Sequence, residues 1–206
     1  MRAPAALTTL AAIAAAVAAA LAACDSHLEA KVGGAVRAQA FNVIPAPPAP
    51  VVVVKKGRTP APLPAGPVRV AIDLATPWAE VHPLLDGGVA GGSQPILLVG
   101  VRHRVRGFVL EDAREPGPAI KLDANAAGTF CLSPPGVEQA YCVESGDHRH
   151  ISSMYVREAV SKAVAAYGLT RIRVRPTDDL AWGDLVRVVD GARSCCPQPV
   201  TVTVAR

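Results

Sequence analysis

The chain is short of the groups that announce chemistry. Its 206 residues contain two Trp, three Tyr and three Phe, and only 18% are charged. No serine sits in a nucleophile elbow, no glycine-rich loop opens a helix, and no pair of carboxylates has a recognisable apolar setting. An enzyme is therefore not expected, and no cofactor is implied. Lys and Arg total 21 against 17 Asp and Glu, a formal charge of +4 spread along the chain. A nucleic-acid binder would cluster its basic residues on one face, so nucleic acid is not an expected partner.

What is present begins with alanine. Half the residues are hydrophobic, but much of that half is alanine spent before residue 24. Arg2 is the only charge ahead of an apolar run from Ala3 to Ala23 that ends Leu21-Ala22-Ala23-Cys24. A basic start, an apolar middle and small residues at the end describe a secretory signal peptide over residues 1–23. The last four residues look like a bacterial lipobox, in which the cysteine is acylated and becomes the first residue of the mature chain. Cys24 is the expected lipidation site, and the expected location is the cell envelope, membrane-anchored and facing the periplasm. Two or more acyl chains anchor stably where one does not. The competing reading is an uncleaved membrane-spanning helix, since about 20 apolar residues can cross a bilayer.

Residues 24–67 show no sustained periodicity, and eight prolines lie between Pro45 and Pro67. That composition favours extended polyproline geometry and predicts a stiff, solvated linker. Val51–Val54 interrupt it with a β-prone run beside Lys55-Lys56.

Beyond the linker the sequence repeats itself. Residues 69–102 align with 173–206 without a gap: Arg69-Val70 with Arg173-Val174, Trp78 with Trp182, Asp86-Gly87 with Asp190-Gly191, Gln94-Pro95 with Gln198-Pro199, Arg102 with Arg206. Apolar positions agree between these identities, which suggests one supersecondary unit used twice. In the second copy Arg171 to Arg175 alternates strictly, a strand with Ile172 and Val174 buried and three arginines in water. Asp178 or Asp179 is the expected cap of a helix carrying Trp182, Leu185, Val186 and Val189. Val200 to Val204 alternates again, so the unit is strand, helix, strand. In the first copy Thr76-Pro77 is the expected cap and first position. Pro83 falls where a helix interior should be and predicts a short or bent helix. The equivalent tryptophans are expected in the core.

Upstream of the second copy, Ala119–Leu122, Thr129–Leu132 and Tyr141–Glu144 read as strands. Ser152 or Ser153 then caps a helix that Gly168 closes. The expected class is α+β, a two-layer sandwich with helices on one face of a small mixed sheet. The expected divisions are a first strand-helix-strand unit at 68–117 and a domain at 118–206.

That order, with the run Arg173-Val174-Arg175-Pro176-Thr177-Asp178-Asp179-Leu180-Ala181-Trp182-Gly183-Asp184 and its continuation to Val189-Asp190, resembles the periplasmic domain of the ExbD and TolR biopolymer-transport family. The likeness covers roughly the last 90 residues; the first copy looks like an additional half-domain. The resemblance implies contacts with an envelope protein or peptidoglycan, and a homodimer. Members of that family carry an aspartate in a single transmembrane helix that couples to protons. Here the apolar segment has no acid, and Asp25 lies beyond its C-terminal end, so that role is not transferred. The expectation is a non-catalytic periplasmic lipoprotein that makes protein or cell-wall contacts. Its alternatives are an energy-coupling membrane subunit that keeps the segment as a transmembrane helix, and a metal or thiol-redox module.

With Cys24 lipidated, four cysteines remain: Cys131, Cys142, Cys195 and Cys196. An even number in an oxidising compartment suggests disulfides. Cys131 and Cys142 flank the Pro134-Pro135-Gly136 turn on neighbouring strands and are the expected pair. Cys195 and Cys196 are either thiols or partners crosswise for the other two. A metal site joining these thiolates to His148 and His150 lacks zinc-finger spacing, so no metal is assigned. Cys-Cys is also not the Cys-x-x-Cys of thiol oxidoreductases. The dense basic cluster Arg102, His103, Arg104 and Arg106 reads as a solvated face, with an anionic partner as its functional alternative.

Overall fold

The structure is a computed structural model that describes residues 31–101, 104–112, 117–137, 140–144 and 150–205. The expected signal segment and Cys24 lie outside the described residues. In chain order the elements are β1 (Lys31–Val32), β2 (Ala35–Val36), β3 (Val51–Val54), β4 (Gly66–Ile72), α1 (Trp78–Ala90), β5 (Ser93–Val101), β6 (Arg104–Phe108), β7 (Glu111–Asp112), β8 (Ile120–Ala124), β9 (Thr129–Ser133), β10 (Tyr141–Glu144), α2 (Ser153–Tyr167), β11 (Arg171–Pro176), α3 (Trp182–Arg193) and β12 (Thr201–Val204). Helices and mixed sheets place the chain in the α+β class. Among the described residues no helix is long and apolar enough to cross a membrane.

Two larger sheets form. One has the order β3-β4-β5-β6, the other β10-β9-β8-β11-β12-β7. In the second, β8, β11 and β12 are parallel neighbours, joined by crossovers through α2 and α3. α2 and α3 pack on each other, and one face of the sheet carries the fully buried Ile120, Leu122, Ile172 and Val174. As the alternation requires, the arginines of β11 point the other way. Arg175 is exposed and bound to Asp123, while Arg171 and Arg173 are half-buried.

Residues 31–65 are not a solvated spacer. Ala35, Ala38, Ala40 and Val54 are buried, and β3 pairs in parallel with β4. The Gly100 and Ile44 N–H groups bond to Ala38 and Gly107 carbonyls at 2.8 and 2.9 Å. Small residues let this strap lie flat on the β5–β6 hairpin. A Cβ on Gly107 would come within 2.7 Å of Ile96 and 2.9 Å of Ile44. Composition pointed to polyproline, but prolines only remove donors; the remaining donors and the alanine faces still find partners.

Helix starts differ from expectation too. Neither Pro77 nor Ala181, which precede α1 and α3, makes a side-chain cap, and Ser152 before α2 makes none either. Instead, the Trp78 and Ala79 N–H groups donate to Leu180 and Asp178 carbonyls at 2.8 and 2.9 Å. Trp182 and Gly183 donate to Thr76 and Leu74 carbonyls at 2.8 and 2.9 Å. The loop before each helix supplies the acceptors for the other, around an antiparallel bridge between Pro77 and Ala181. The orphan donors of a helix start are thereby satisfied without Thr76, Asp178 or Asp179 side chains. Pro83 sits inside α1, which still runs 13 residues; the expected shortening does not occur. Gly168 closes α2 in the left-handed conformation, φ 66°.

The ungapped correspondence of the two repeats stops at the helices. Val68 on β4 faces Pro95 on β5, whereas Ile172 on β11 faces Val202 on β12, three residues further along. The boundary at 117 also shifts, because β7 crosses to the second sheet and pairs with β12. Trp78 and Trp182 are buried as expected, in one hydrophobic cluster that joins the elements of both sheets.

Candidate functional site

Cys131 and Cys142 stand directly opposite each other in the β9–β10 ladder and are disulfide-bonded. Their Cα atoms are 4.0 Å apart, the close spacing of a non-hydrogen-bonded antiparallel pair. The Cys142 N–H and carbonyl therefore point away from β9, toward the outer edge of the sheet, since among the described residues β10 is its last strand. Beside that edge lies a groove of about 350 Å³ between β9, β10 and α2, lined by Leu132, Val137, Tyr141, Ala163, Lys162 and Tyr167. Tyr141 is 60% and Tyr167 48% exposed. Such a wall of small and aromatic side chains beside the last strand of a sheet suits an extended peptide laid along β10.

Lys162 donates to Glu158 at 2.7 Å on the outer side of α2. This bond and the ammonium charge hold the Glu158 carboxyl below its ordinary value, and the carboxylate raises Lys162 in turn.

Cys195 and Cys196 follow α3. They are disulfide-bonded to each other, not crosswise to the hairpin cysteines and not as separate thiols. Cys195 is buried and Cys196 half-buried. His148 lies outside the described residues. His150 turns its Nδ1 to Asp184 at 3.4 Å, and among the described residues no cluster of three metal-ligating side chains forms.

Of the basic cluster, Arg102 and His103 fall outside the described residues. Arg104 and Arg106 lie on β6, exposed and half-buried respectively. Arg193 at the end of α3 reaches the same region. Its guanidinium stacks 5.1 Å from the Phe108 ring, donates to the Val109 carbonyl at 2.8 Å and lies 3.5 Å from Glu111. Burial lowers its pKa, against the opposing pull of Glu111 and Asp190.

Two carboxylates of α3 carry weight that sequence reasoning missed. Asp190, 2% exposed, accepts the Phe41 and Asn42 N–H groups at 2.9 and 2.8 Å and the Asn42 amide at 2.8 Å. Asp184 accepts the Ile151 N–H at 3.0 Å and Arg187 at 2.7 Å. One signal was available: an acid inside an apolar helix face needs donors. Which donors it finds depends on a segment some 150 residues away.

No family model matches the chain, and neither a curated protein nor a solved structure matches it.

Proposed function

We propose that this chain is a non-catalytic envelope lipoprotein, acylated at Cys24, whose ExbD/TolR-like C-terminal region holds a partner protein at the periplasmic side of the membrane. The observation that carries this is the cross-strand pair Cys131–Cys142. A disulfide that staples a surface ladder persists in oxidising compartments and is rare in the cytosol. The same bond holds β10 to β9 as an edge strand beside an apolar groove, which favours docking over chemistry. The occupant is an extended segment of the partner, adding its backbone to the Cys142 edge and its apolar side chains to the groove between Tyr141 and Tyr167. The strand and helix order over residues 118–206 supports the resemblance. For the cluster Arg102, His103, Arg104 and Arg106 a solvated face is the first reading, and an anionic partner its functional alternative.

Intact-mass spectrometry of membrane-extracted protein tests the anchor, beside a Cys24→Ser variant. The expected result is a mature chain that begins at acylated Cys24 and is lost in the variant. A chain starting at Met1 would overturn the lipoprotein and leave the energy-coupling subunit. For the groove, a photo-crosslinking residue at Tyr141 should join the chain to a second envelope protein, while one at Val89 on α1 should not. A crosslink between two copies of this chain would make the groove a dimer interface instead.

A further inference from the structure

The turn after α3 holds two cysteines in succession, bonded to each other. A bond between neighbouring residues closes no chain loop. Cys131–Cys142 closes a loop with a sequence separation of 11 and so constrains the unfolded chain, whereas Cys195–Cys196 constrains almost nothing. The fold gains little from the second bond.

The two sulfurs sit in different surroundings. Cys195 is 6% exposed and lines a cavity of about 400 Å³ with Met154, Arg157, Glu158, Ser161 and Lys162. Cys196 is the more accessible of the two. Glu158 is engaged by Lys162 at 2.7 Å, which leaves Arg157 as the cation in that cavity not offset by its carboxylate. A cation near a sulfur favours its thiolate form.

We propose that Cys195–Cys196 is a thiol–disulfide exchange site that accepts electrons from a dithiol reductant. A thiolate of the dithiol attacks the Cys196 sulfur. The Cys195–Cys196 bond breaks, a mixed disulfide forms at Cys196, and the electron pair leaves on the Cys195 sulfur, at the cavity that Arg157 also lines. The second thiolate of the dithiol then displaces Cys196. The dithiol departs as its own cyclic disulfide, two electrons have passed to the protein, and the two protons of the dithiol end on Cys195 and Cys196. This activity is independent of the docking role.

The purified protein, equilibrated in mixtures of reduced and oxidised dithiothreitol, acid-quenched, alkylated and analysed by peptide mass, carries its own reference in Cys131–Cys142. The vicinal pair is expected to be half-reduced at a reduced-to-oxidised ratio at least tenfold lower than the hairpin pair. In addition, Cys195→Ala should form a mixed disulfide with glutathione at Cys196 faster than Cys196→Ala does at Cys195. The proposal is overturned if both pairs reduce together, if the hairpin pair reduces first, or if Cys195 and Cys196 are alkylated before any reductant is added. The double variant Cys195→Ala/Cys196→Ala should unfold cooperatively with a melting temperature close to that of the parent. Its failure to fold would make the pair structural and overturn the exchange site equally.

Discussion

Trp78 and Trp182 open their helices with the same bond, each donating its backbone N–H at 2.8 Å to the carbonyl two residues before the other. Neither helix start is complete without the loop before the other helix, so the two halves are expected to unfold as one unit.

Leu180 is fully buried beside this exchange. Leu180→Ala should cost about 2–5 kcal/mol, as deletions of buried leucine side chains do. Single-tryptophan versions of the protein, Trp78→Phe and Trp182→Phe, allow each half to be followed by fluorescence in a denaturant titration. Both midpoints should fall together; a shift confined to the Trp182 signal would mean that the halves are independent.

Asp190→Ala removes the acceptor for Phe41 and Asn42. Hydrogen bonds to a charged group are worth about 1.5–3 kcal/mol each in net terms and are not additive, so a loss of about 2–4 kcal/mol is expected. Amide exchange at Phe41 and Asn42 should rise well above that at Val70 in the β4 core. Unchanged protection at the two amides would show that the strap is held by its contacts with β5 and β6 alone.

Cys131→Ala/Cys142→Ala should lower stability by about 2–3 kcal/mol, the scale expected for a loop of this size. Denaturant midpoints of the variant and the parent under non-reducing conditions give the difference, which should vanish when the parent is fully reduced.

Lys162→Met should return the Glu158 carboxyl toward its ordinary titration range, as seen by NMR. The sign follows from the lowered folded value. Stability from this group is present above its unfolded pKa and is lost as pH falls through the folded one. The parent should therefore show a slightly steeper acid loss than the variant, with no difference at neutral pH beyond the small worth of an exposed pair.

Period and turn chemistry were enough to read the C-terminal half. Strict alternation marked β11 and β12, glycine marked the end of α2, and two cysteines flanking a Pro-Pro-Gly turn marked the hairpin. All of these are local signals. Helix starts were misread because Thr76, Asp178 and Asp179 are good caps in isolation, while the structure satisfies the same donors with carbonyls a hundred residues away. The region before residue 66 was misread for a related reason. Proline content reports which donors are missing, and says nothing about the alanines and valines between them that pack on a sheet. The three-residue slip between β5 and β12 was hidden because apolar residues recur at both registers. The pairing of Cys195 with Cys196 could not be chosen over the crosswise alternative by counting.

The reciprocal caps also set an order of events. A chain made from its N-terminus presents α1 long before Asp178 and Leu180 exist, and β12 receives β7 only when nearly the last residues are in place. Until then the start of α1 lacks the Leu180 and Asp178 carbonyls that receive its first N–H groups. The chain's contacts are mostly distant in sequence, which slows folding and lengthens the time apolar surface is exposed. A folding helper that shields the first half during that interval would raise the yield of native protein without touching its final stability.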